Sequence, residues 1–152
     1  GVIGLASNTM HIVAGQIEDG LGVPFVHIAE PTAVALKEKG IRRVGLLGTR
    51  FTMEMPFYKD RLKARGLEVL VPDSDVPALN AIIYDELCLG IVRGASRQIF
   101  VNAIARLADR GAEAVILGCT EIGMLVDQNS SPLPVFDTTE LHAKALVAAA
   151  LS

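Results

Sequence analysis

The chain alternates short apolar runs with longer segments of helical spacing, and this feature most limits what it can fold into. The short runs are rich in Val, Ile and Leu without alternating polar residues, which is typical of strands buried on both faces. Strands that alternate with helices predict an α/β fold with parallel sheets, right-handed crossovers and ligand sites beyond the carboxyl ends of the strands. The predicted strands cover residues 2–6, 23–28, 43–47, 67–71, 113–118 and 133–136.

The segments between these runs carry the signals of helices and turns. Apolar residues recur at helical intervals in residues 79–87 and 104–108, and glycine ends the helical pattern in "EKG", "ARG" and "DRG". Residues 71–80 contain two prolines and predict a loop that enters a helix, whereas the turn-rich residues 127–134 predict a surface connection. Residues 138–152 begin with a capping residue and strong helix formers, and therefore predict a closing helix.

The composition narrows the class of ligand. The 152 residues are 51% hydrophobic, enough for a core in one compact domain or two small lobes. The 14 basic and 17 acidic residues give a net charge of -3 without a Lys/Arg block, which does not favour nucleic acid or an anionic membrane surface. No apolar run approaches the roughly 20 residues of a membrane span. We therefore expect a small-molecule ligand.

The cysteines and the first residues add two expectations. The two cysteines, Cys88 and Cys119, lie in unrelated contexts without metal-ligand spacing, which favours reduced thiols in a cytoplasmic protein and no metal site. The chain begins without Met, and an apolar run starts at residue 2 without the basic region of a signal peptide. Two explanations follow: this chain is a piece of something longer, or removal of a tag left its first Gly.

Four predicted strands end in a similar way. The segments "VIGLASNT", "VGLLGT", "VILGCT" and "PVFDTT" each pass from an apolar run to a threonine at the predicted start of a helix. Threonine, serine, asparagine and aspartate are ordinary N-caps, so each one alone has a purely structural explanation. Because parallel strands place these turns on one edge of the sheet, the four together predict a site for carboxylates or phosphates.

Cys119 is the candidate for chemistry. It follows a predicted buried strand and precedes a helix predicted to begin near Thr120, where the partial positive charge of a helix N-terminus would favour the thiolate. A small buried hydrophobe at a strand end is the alternative, and that is our prediction for Cys88. Glu121 has an alternative role as a first-turn acid that complements the helix dipole, and His11 is predicted to be a surface or packing residue.

Two short motifs resemble a known family. "SNTMH" at residues 7–11 and "GCTEI" at residues 118–122 are similar to the paired signatures of the aspartate/glutamate racemase family. "LLGTRFTME", "DELCLG" and "LPVFDTTELHA" resemble the broad-specificity amino-acid racemases within it. The resemblance covers essentially the whole chain and implies Rossmann-like lobes with parallel sheets. It also implies catalysis without pyridoxal phosphate, metal or other cofactor, by two groups, usually both Cys, that face opposite sides of the substrate α-carbon.

The resemblance implies roles residue by residue. Cys119 matches the second catalytic cysteine, and Ser7 stands where the first is usual. A hydroxyl is a far weaker acid than a thiol, so we expect slow or lopsided interconversion if Ser7 acts. Asn8 and Thr9 match contacts to the substrate carboxylate. The implied substrate-binding residues are Asn8, Thr9, Thr49, Thr120 and Glu121.

The resemblance also implies a domain organisation. Family members have a glycine-rich first turn and further elements ahead of the segment that matches residue 1. We therefore expect an incomplete first lobe, made of residues 1–38 and 138–152, and a second α/β lobe at residues 39–137. An incomplete lobe leaves apolar surface and unpaired strand edges, which favour association with another chain. We therefore expect the chain to form a homo-oligomer, specifically a dimer.

These observations predict a cofactor-independent amino-acid racemase of the aspartate/glutamate type, or a fragment of one, that acts on amino acids or dicarboxylates by Cys-based α-proton transfer. The alternative is a non-catalytic amino-acid or dicarboxylate-binding protein with the same fold. A decarboxylase, hydantoin racemase or maleate isomerase would share the thiol, but "NTMH" and "GCTEIG" favour an amino-acid racemase. A purely structural domain would not explain polar turns at several strand ends.

Overall fold

The computed structural model describes residues 1–152 and contains a four-stranded parallel sheet with strand order β2-β1-β3-β4. Every strand pairing is parallel, as the buried apolar runs predict. The α/β fold class with a parallel sheet is therefore confirmed. The strands are β1 (Arg43–Gly48), β2 (Glu68–Leu70), β3 (Ala114–Gly118) and β4 (Val135–Asp137).

Seven α-helices and three short 3₁₀ helices connect and flank the strands. The glycines predicted to end helices do so with left-handed backbone angles, φ +72° at Gly40, +82° at Gly66 and +93° at Gly111. No helix is long and apolar enough to cross a membrane. The α-helices are α1 (Ala14–Gly20), α2 (Ala29–Glu38), α3 (Arg50–Glu54), α4 (Pro56–Ala64), α5 (Val76–Asp85), α6 (Gly94–Asp109) and α7 (Thr138–Leu151), and the 3₁₀ helices are Thr9–Val13, Leu87–Leu89 and Ile122–Met124.

The two apolar runs at residues 2–6 and 23–28 are not strands, so that prediction is wrong. They form one isolated parallel bridge between Ile3 and Phe25. Ile3 N donates to Pro24 O and Val26 N donates to Ile3 O, both at 2.9 Å. No further strand lies beside them to extend the ladder, and two strands alone gain too little from pairing to form a regular sheet.

The core lies on both faces of the sheet because successive strand residues point to opposite sides. Leu47, Val115 and Leu117 face a cluster that includes Leu79 and Ile83 of α5 and Phe100 and Ile104 of α6. Val44, Leu46 and Ile116 face α2 and α4, including Ala33, Leu36, Tyr58 and Leu62.

The boundary between the predicted lobes crosses a continuous core. Helix α2 belongs by sequence to the predicted first lobe, yet Ala33 and Leu36 share an apolar cluster with strand residues Val44 and Leu46. Helix α7 begins directly after β4 and packs against α2. The division into 1–38 plus 138–152 and 39–137 stays a prediction.

The chain changes direction across the sheet between β1 and β3. From β1 it first adds β2 on one side, and then returns to place β3 on the other. The two central strands end together, with Gly48 opposite Gly118. In parallel α/β sheets this switch point opens a crevice outside the carboxyl ends of the strands.

Gly118→Ala tests the close packing at this switch point. A Cβ at residue 118 would lie 2.6 Å from the main-chain oxygen of Leu47, so strand β1 or β3 would have to move. We expect the substitution to lower the free energy of unfolding by about 2 kcal/mol or more, measured by urea denaturation. Gly94→Ala is the control, because a Cβ at this α6 residue meets nothing within 4 Å. Equal stability of the two variants would contradict the expectation.

Candidate functional site

A cavity of about 290 Å³ opens where β1 and β3 end. It lies where parallel strands of an α/β fold are expected to bind ligands. All seven residues predicted for the site line it, although three different segments of the sequence supply them. They are Ser7, Asn8, Thr9, Thr49, Cys119, Thr120 and Glu121.

Hydroxyl groups meet across the cavity. Thr9 Oγ1 and Thr49 Oγ1 lie 2.8 Å apart, which joins the first 3₁₀ helix to the end of β1. Thr49 is also the N-cap of α3, and its hydroxyl oxygen accepts from Thr52 N at 3.4 Å. The main-chain N–H groups of Asn8, Thr49 and Thr120 donate to no backbone carbonyl. The cavity therefore combines hydroxyl and amide donors, the groups that bind a carboxylate.

Asn8 is held in one orientation by a buried chain of hydrogen bonds. Thr138 Oγ1 donates to Leu117 O at 2.9 Å, which uses its only hydrogen. Asn8 must therefore donate through Nδ2 to Thr138 Oγ1, also at 2.9 Å. This leaves Asn8 Oδ1 buried without a hydrogen-bond partner. These hydrogen bonds fix the start of the first 3₁₀ helix to the end of β3 and the start of α7.

Cys119 and Glu121 form a thiol–carboxylate pair. Cys119 Sγ donates to Glu121 Oε2 at 2.9 Å, and Cys119 is only 7% exposed. Burial, together with this hydrogen bond to an anion, raises the pKa of the Cys119 thiol to about 12. The pKa of Glu121 is lowered despite its partial burial, because its carboxylate accepts hydrogen bonds from Cys119 and Thr120. Cys119 is thus a neutral thiol.

The expected helix-stabilised thiolate is therefore wrong. No α-helix begins near Thr120, and the only helical turn there is the three-residue 3₁₀ helix Ile122–Met124. A single short turn aligns too few peptide dipoles to offset the burial of a negative sulfur. Burial and the neighbouring carboxylate determine the protonation of Cys119.

Ser7 belongs to the same cavity but is engaged with its own segment. Its Oγ accepts from Met10 N at 3.2 Å, and its main-chain oxygen lies 2.5 Å from His11 Nδ1. His11 Nε2 accepts from Ile28 N at 3.1 Å, so His11 donates through Nδ1 to Ser7 O. His11 is buried at 2% exposure, in agreement with its predicted packing role.

One wall of the cavity was not predicted. Ile83 and Tyr84 of α5 and Cys88 of the second 3₁₀ helix line it. The prediction that Cys88 is a small buried hydrophobe is wrong, because its side chain is exposed. Helix α5 ends at Asp85 and does not continue through residue 88, and the chain then turns at Gly90 with φ +74°. The glycine in "DELCLG" is the signal that could have shown this break.

No three His, Cys, Asp or Glu side chains come together as metal ligands would. The fold and the cavity define a doubly wound α/β protein with a thiol, hydroxyl and amide site at its switch point.

The sequence matches the family described as Asp/Glu/hydantoin racemase over residues 2–146, and the chain belongs to this family. It is 27% identical to the broad-specificity amino-acid racemase RacX of Bacillus subtilis, over 99% of this chain and 65% of that protein.

Solved structures extend this finding. A crystal structure of a candidate Asp/Glu racemase from Yersinia pestis has a TM-score of 0.93 at 49% identity, covering 99% of this chain and 66% of that one. An aspartate racemase homologue from Pyrococcus horikoshii has a TM-score of 0.88 at 36% identity, with 99% and 67% covered. The chain therefore spans about two thirds of the length of these relatives.

Proposed function

We propose that this chain carries the reaction site of a cofactor-independent amino-acid racemase, in which Cys119 is one acid/base group and Ser7 stands in the place of the other. The observation that supports this proposal most is the single cavity that collects both residues with the hydroxyls of Thr9, Thr49 and Thr120. Membership of the racemase family supports the same reaction class. Asn8 and Glu121 complete the proposed binding residues.

The binding groups in this proposal face a carboxylate. The Thr9 and Thr49 hydroxyls, 2.8 Å apart, and the free N–H groups of Asn8, Thr49 and Thr120 would hold the substrate α-carboxylate. These donors would also stabilise negative charge that spreads onto the carboxylate when the α-proton leaves. The substrate ammonium would lie near Glu121, the one carboxylate of the cavity.

The proposed proton transfer starts from a neutral thiol. With a pKa of about 12, ionising Cys119 at pH 7 costs about 7 kcal/mol. A bound ammonium group would reduce this cost, because its positive charge offsets the negative charge of the Glu121 carboxylate. The Sγ proton leaves to solvent, and the thiolate then takes the α-proton while the electron pair stays on the substrate as a carbanion. Ser7 donates its hydroxyl proton to the opposite face, and solvent returns a proton to the Ser7 oxygen, so that every group ends in its starting form.

The proposal predicts Cys119-dependent exchange of the substrate α-proton. Purified chain is incubated in deuterated water with each enantiomer of alanine, glutamine, aspartate and glutamate, and α-deuterium is followed by NMR. We expect Cys119→Ala to slow exchange at least about 100-fold, the range usual for loss of a general acid–base group. Ser74→Ala is the control, because Ser74 is exposed and far in sequence from Ser7 and Cys119, and we expect this variant to retain exchange. Exchange at the same rate in the Cys119→Ala variant contradicts the proposal.

A non-catalytic binding protein for amino acids is the second candidate, because Cys119 is a neutral thiol and Ser7 carries a hydroxyl, a far weaker acid than a thiol, in place of a second cysteine. Ser7 Oγ accepts a main-chain hydrogen bond from Met10 N, and the Cys119 thiol donates to Glu121. Ser7→Cys separates the two functions. A racemase gains exchange in this variant, about tenfold or more because a thiol is the stronger acid, whereas a binding protein shows binding without exchange in either form.

The proposal also includes a dimer and a cytoplasmic location. Exposed apolar side chains such as Ile3, Val147 and Leu151 support association with another chain. Two free cysteines support a reducing compartment.

A further inference from the structure

The charged groups that line the cavity are all of one sign. None of its twelve lining residues is Lys, Arg or His, and its single carboxylate is Glu121. Two basic residues adjoin lining residues in the sequence, His11 after Met10 and Arg50 after Thr49, and neither lines the cavity. Arg50 lies 3.8 Å from Glu54, with more than half of its side chain exposed. The only formal charge among the lining residues is therefore the negative charge of Glu121.

The two ends of an amino-acid substrate are already accommodated in the proposed site. The hydroxyl and amide donors serve the α-carboxylate, and Glu121 serves the ammonium group. The remaining wall is the one made by Ile83, Tyr84 and Cys88. This wall offers an aliphatic side chain, an aromatic ring with a hydroxyl and a thiol, and none of them is a cation that could pair with a second carboxylate.

We propose that this site selects amino acids with uncharged side chains and discriminates against aspartate and glutamate. The inference rests on the proposed function, because it takes the cavity to be the amino-acid site. A side-chain carboxylate would lose its hydration on entering the cavity without gaining a cationic partner, and it would also be repelled by Glu121. An amide of the same shape loses much less, since Tyr84 and the hydroxyls can hydrogen-bond to it.

Two pairs of isosteric ligands isolate the charge. Binding of L-asparagine and L-aspartate, and of L-glutamine and L-glutamate, is measured by isothermal titration calorimetry with the intact chain at pH 7.5. We expect each amide to bind at least about tenfold more tightly than the matching acid, which corresponds to one missing or repelling charge contact. Acids that bind as tightly as their amides overturn the inference.

A charge placed on the wall of Ile83, Tyr84 and Cys88 gives the second test. Cys88→Lys adds a cation at an exposed position of this wall, and we expect it to raise aspartate affinity relative to asparagine at least about fivefold. Leu89→Lys is the matched control, because Leu89 is 68% exposed and does not line the cavity. The same change in preference in both variants, or no change in either, overturns the assignment of this wall.

The two proposals fail in different ways. Equal binding of acids and amides together with Cys119-dependent exchange overturns the side-chain preference and leaves the racemase proposal standing. A preference for amides without exchange of the α-proton overturns the racemase proposal and leaves the proposed side-chain preference standing. Absence of binding by all four amino acids overturns both.

Discussion

Glu121→Gln should make Cys119 ionise at lower pH and react faster with alkylating reagents. Glu121 Oε2 accepts the thiol hydrogen at 2.9 Å, so loss of that proton would leave two anions side by side. An amide removes the repulsion and can donate a hydrogen bond to the thiolate. Burial, the larger cause of the raised pKa, is unchanged, so the pKa should fall by about one unit or more without returning to that of an exposed cysteine.

The measurement is the rate of Cys119 alkylation by iodoacetamide from pH 7 to 10, followed by intact mass. Cys88→Ser is the background, because the exposed Cys88 would otherwise react first. Lowering the pKa of Cys119 by one unit gives about tenfold more thiolate at a given pH. The resulting gain in alkylation rate is partly offset, because the thiolate of lower pKa is a weaker nucleophile. Glu38→Gln, at an exposed residue outside this cavity, is the control. A profile for Glu121→Gln that overlays its parent would show that the carboxylate has no part in the raised pKa.

The second large effect is expected at mildly acidic pH, where the buried His11 and His27, which lie in a cluster with His142, oppose protonation. His11, His27 and His142 are each 3% exposed or less. The ring centroids of His11 and His27 lie 4.3 Å apart, and those of His11 and His142 lie 6.1 Å apart. Burial, with smaller effects of neighbouring histidines and Arg61, lowers the pKa of His27 to about 3, and burial also lowers the pKa of His11.

The hydrogen bonds that His11 and His27 accept require neutral rings. His27 Nδ1 accepts from Ala29 N at 3.2 Å, and His11 Nε2 accepts from Ile28 N at 3.1 Å. His142 Nε2 donates to Val26 O at 2.7 Å. Protonation of His11 or His27 would place a hydrogen where each ring now accepts one. Arg61 adds positive charge nearby, while Glu18, 2.9 Å from Arg61, offsets part of it.

Stability should therefore fall as the pH drops below about 6.5, the pKa of an unfolded histidine. His11 and His27 have lower pKa values in the folded chain than in the unfolded chain, so their contribution to the free energy of unfolding is complete above about pH 6.5. Below that pH the contribution is lost, because the unfolded chain binds protons that the buried rings of the folded chain do not bind. For His27, whose folded pKa is about 3, the loss at pH 5 is about 2 kcal/mol relative to pH 7.5. His11 adds to this loss in the same direction.

Urea denaturation between pH 7.5 and 5 measures the effect. His27→Asn should flatten the pH dependence, because an Asn oxygen can take the place of Nδ1 as acceptor for Ala29 N without titrating. Glu113→Gln is the control: its pKa is lowered by hydrogen bonds from Arg43 N and Arg42 N, so its contribution is lost only below about pH 4.5. A free energy of unfolding that stays constant from pH 7.5 to 5 would contradict the expectation that His11 and His27 stay neutral in the folded chain.

Much of the site follows from the sequence because parallel strands end at the same edge of a sheet. Thr49 and Cys119 come directly after the paired glycines Gly48 and Gly118, so an apolar run followed by a polar residue was enough to locate both. Cys88 was missed because its place depends on where α5 ends. The apolar spacing continues to Leu87, but the helix stops at Asp85 and a 3₁₀ turn exposes the thiol.

The alternation of strands and helices, the parallel sheet and the polar residues at the strand ends can be read from the amino-acid order, because these depend on local side-chain periodicity and turn chemistry. The single bridge between residues 2–6 and 23–28 arises only in the folded molecule, since a strand exists only beside a partner. The neutral thiol of Cys119 also arises only there. Its pKa depends on burial and on a carboxylate oxygen 2.9 Å away, and these distances are set by how the folded segments pack.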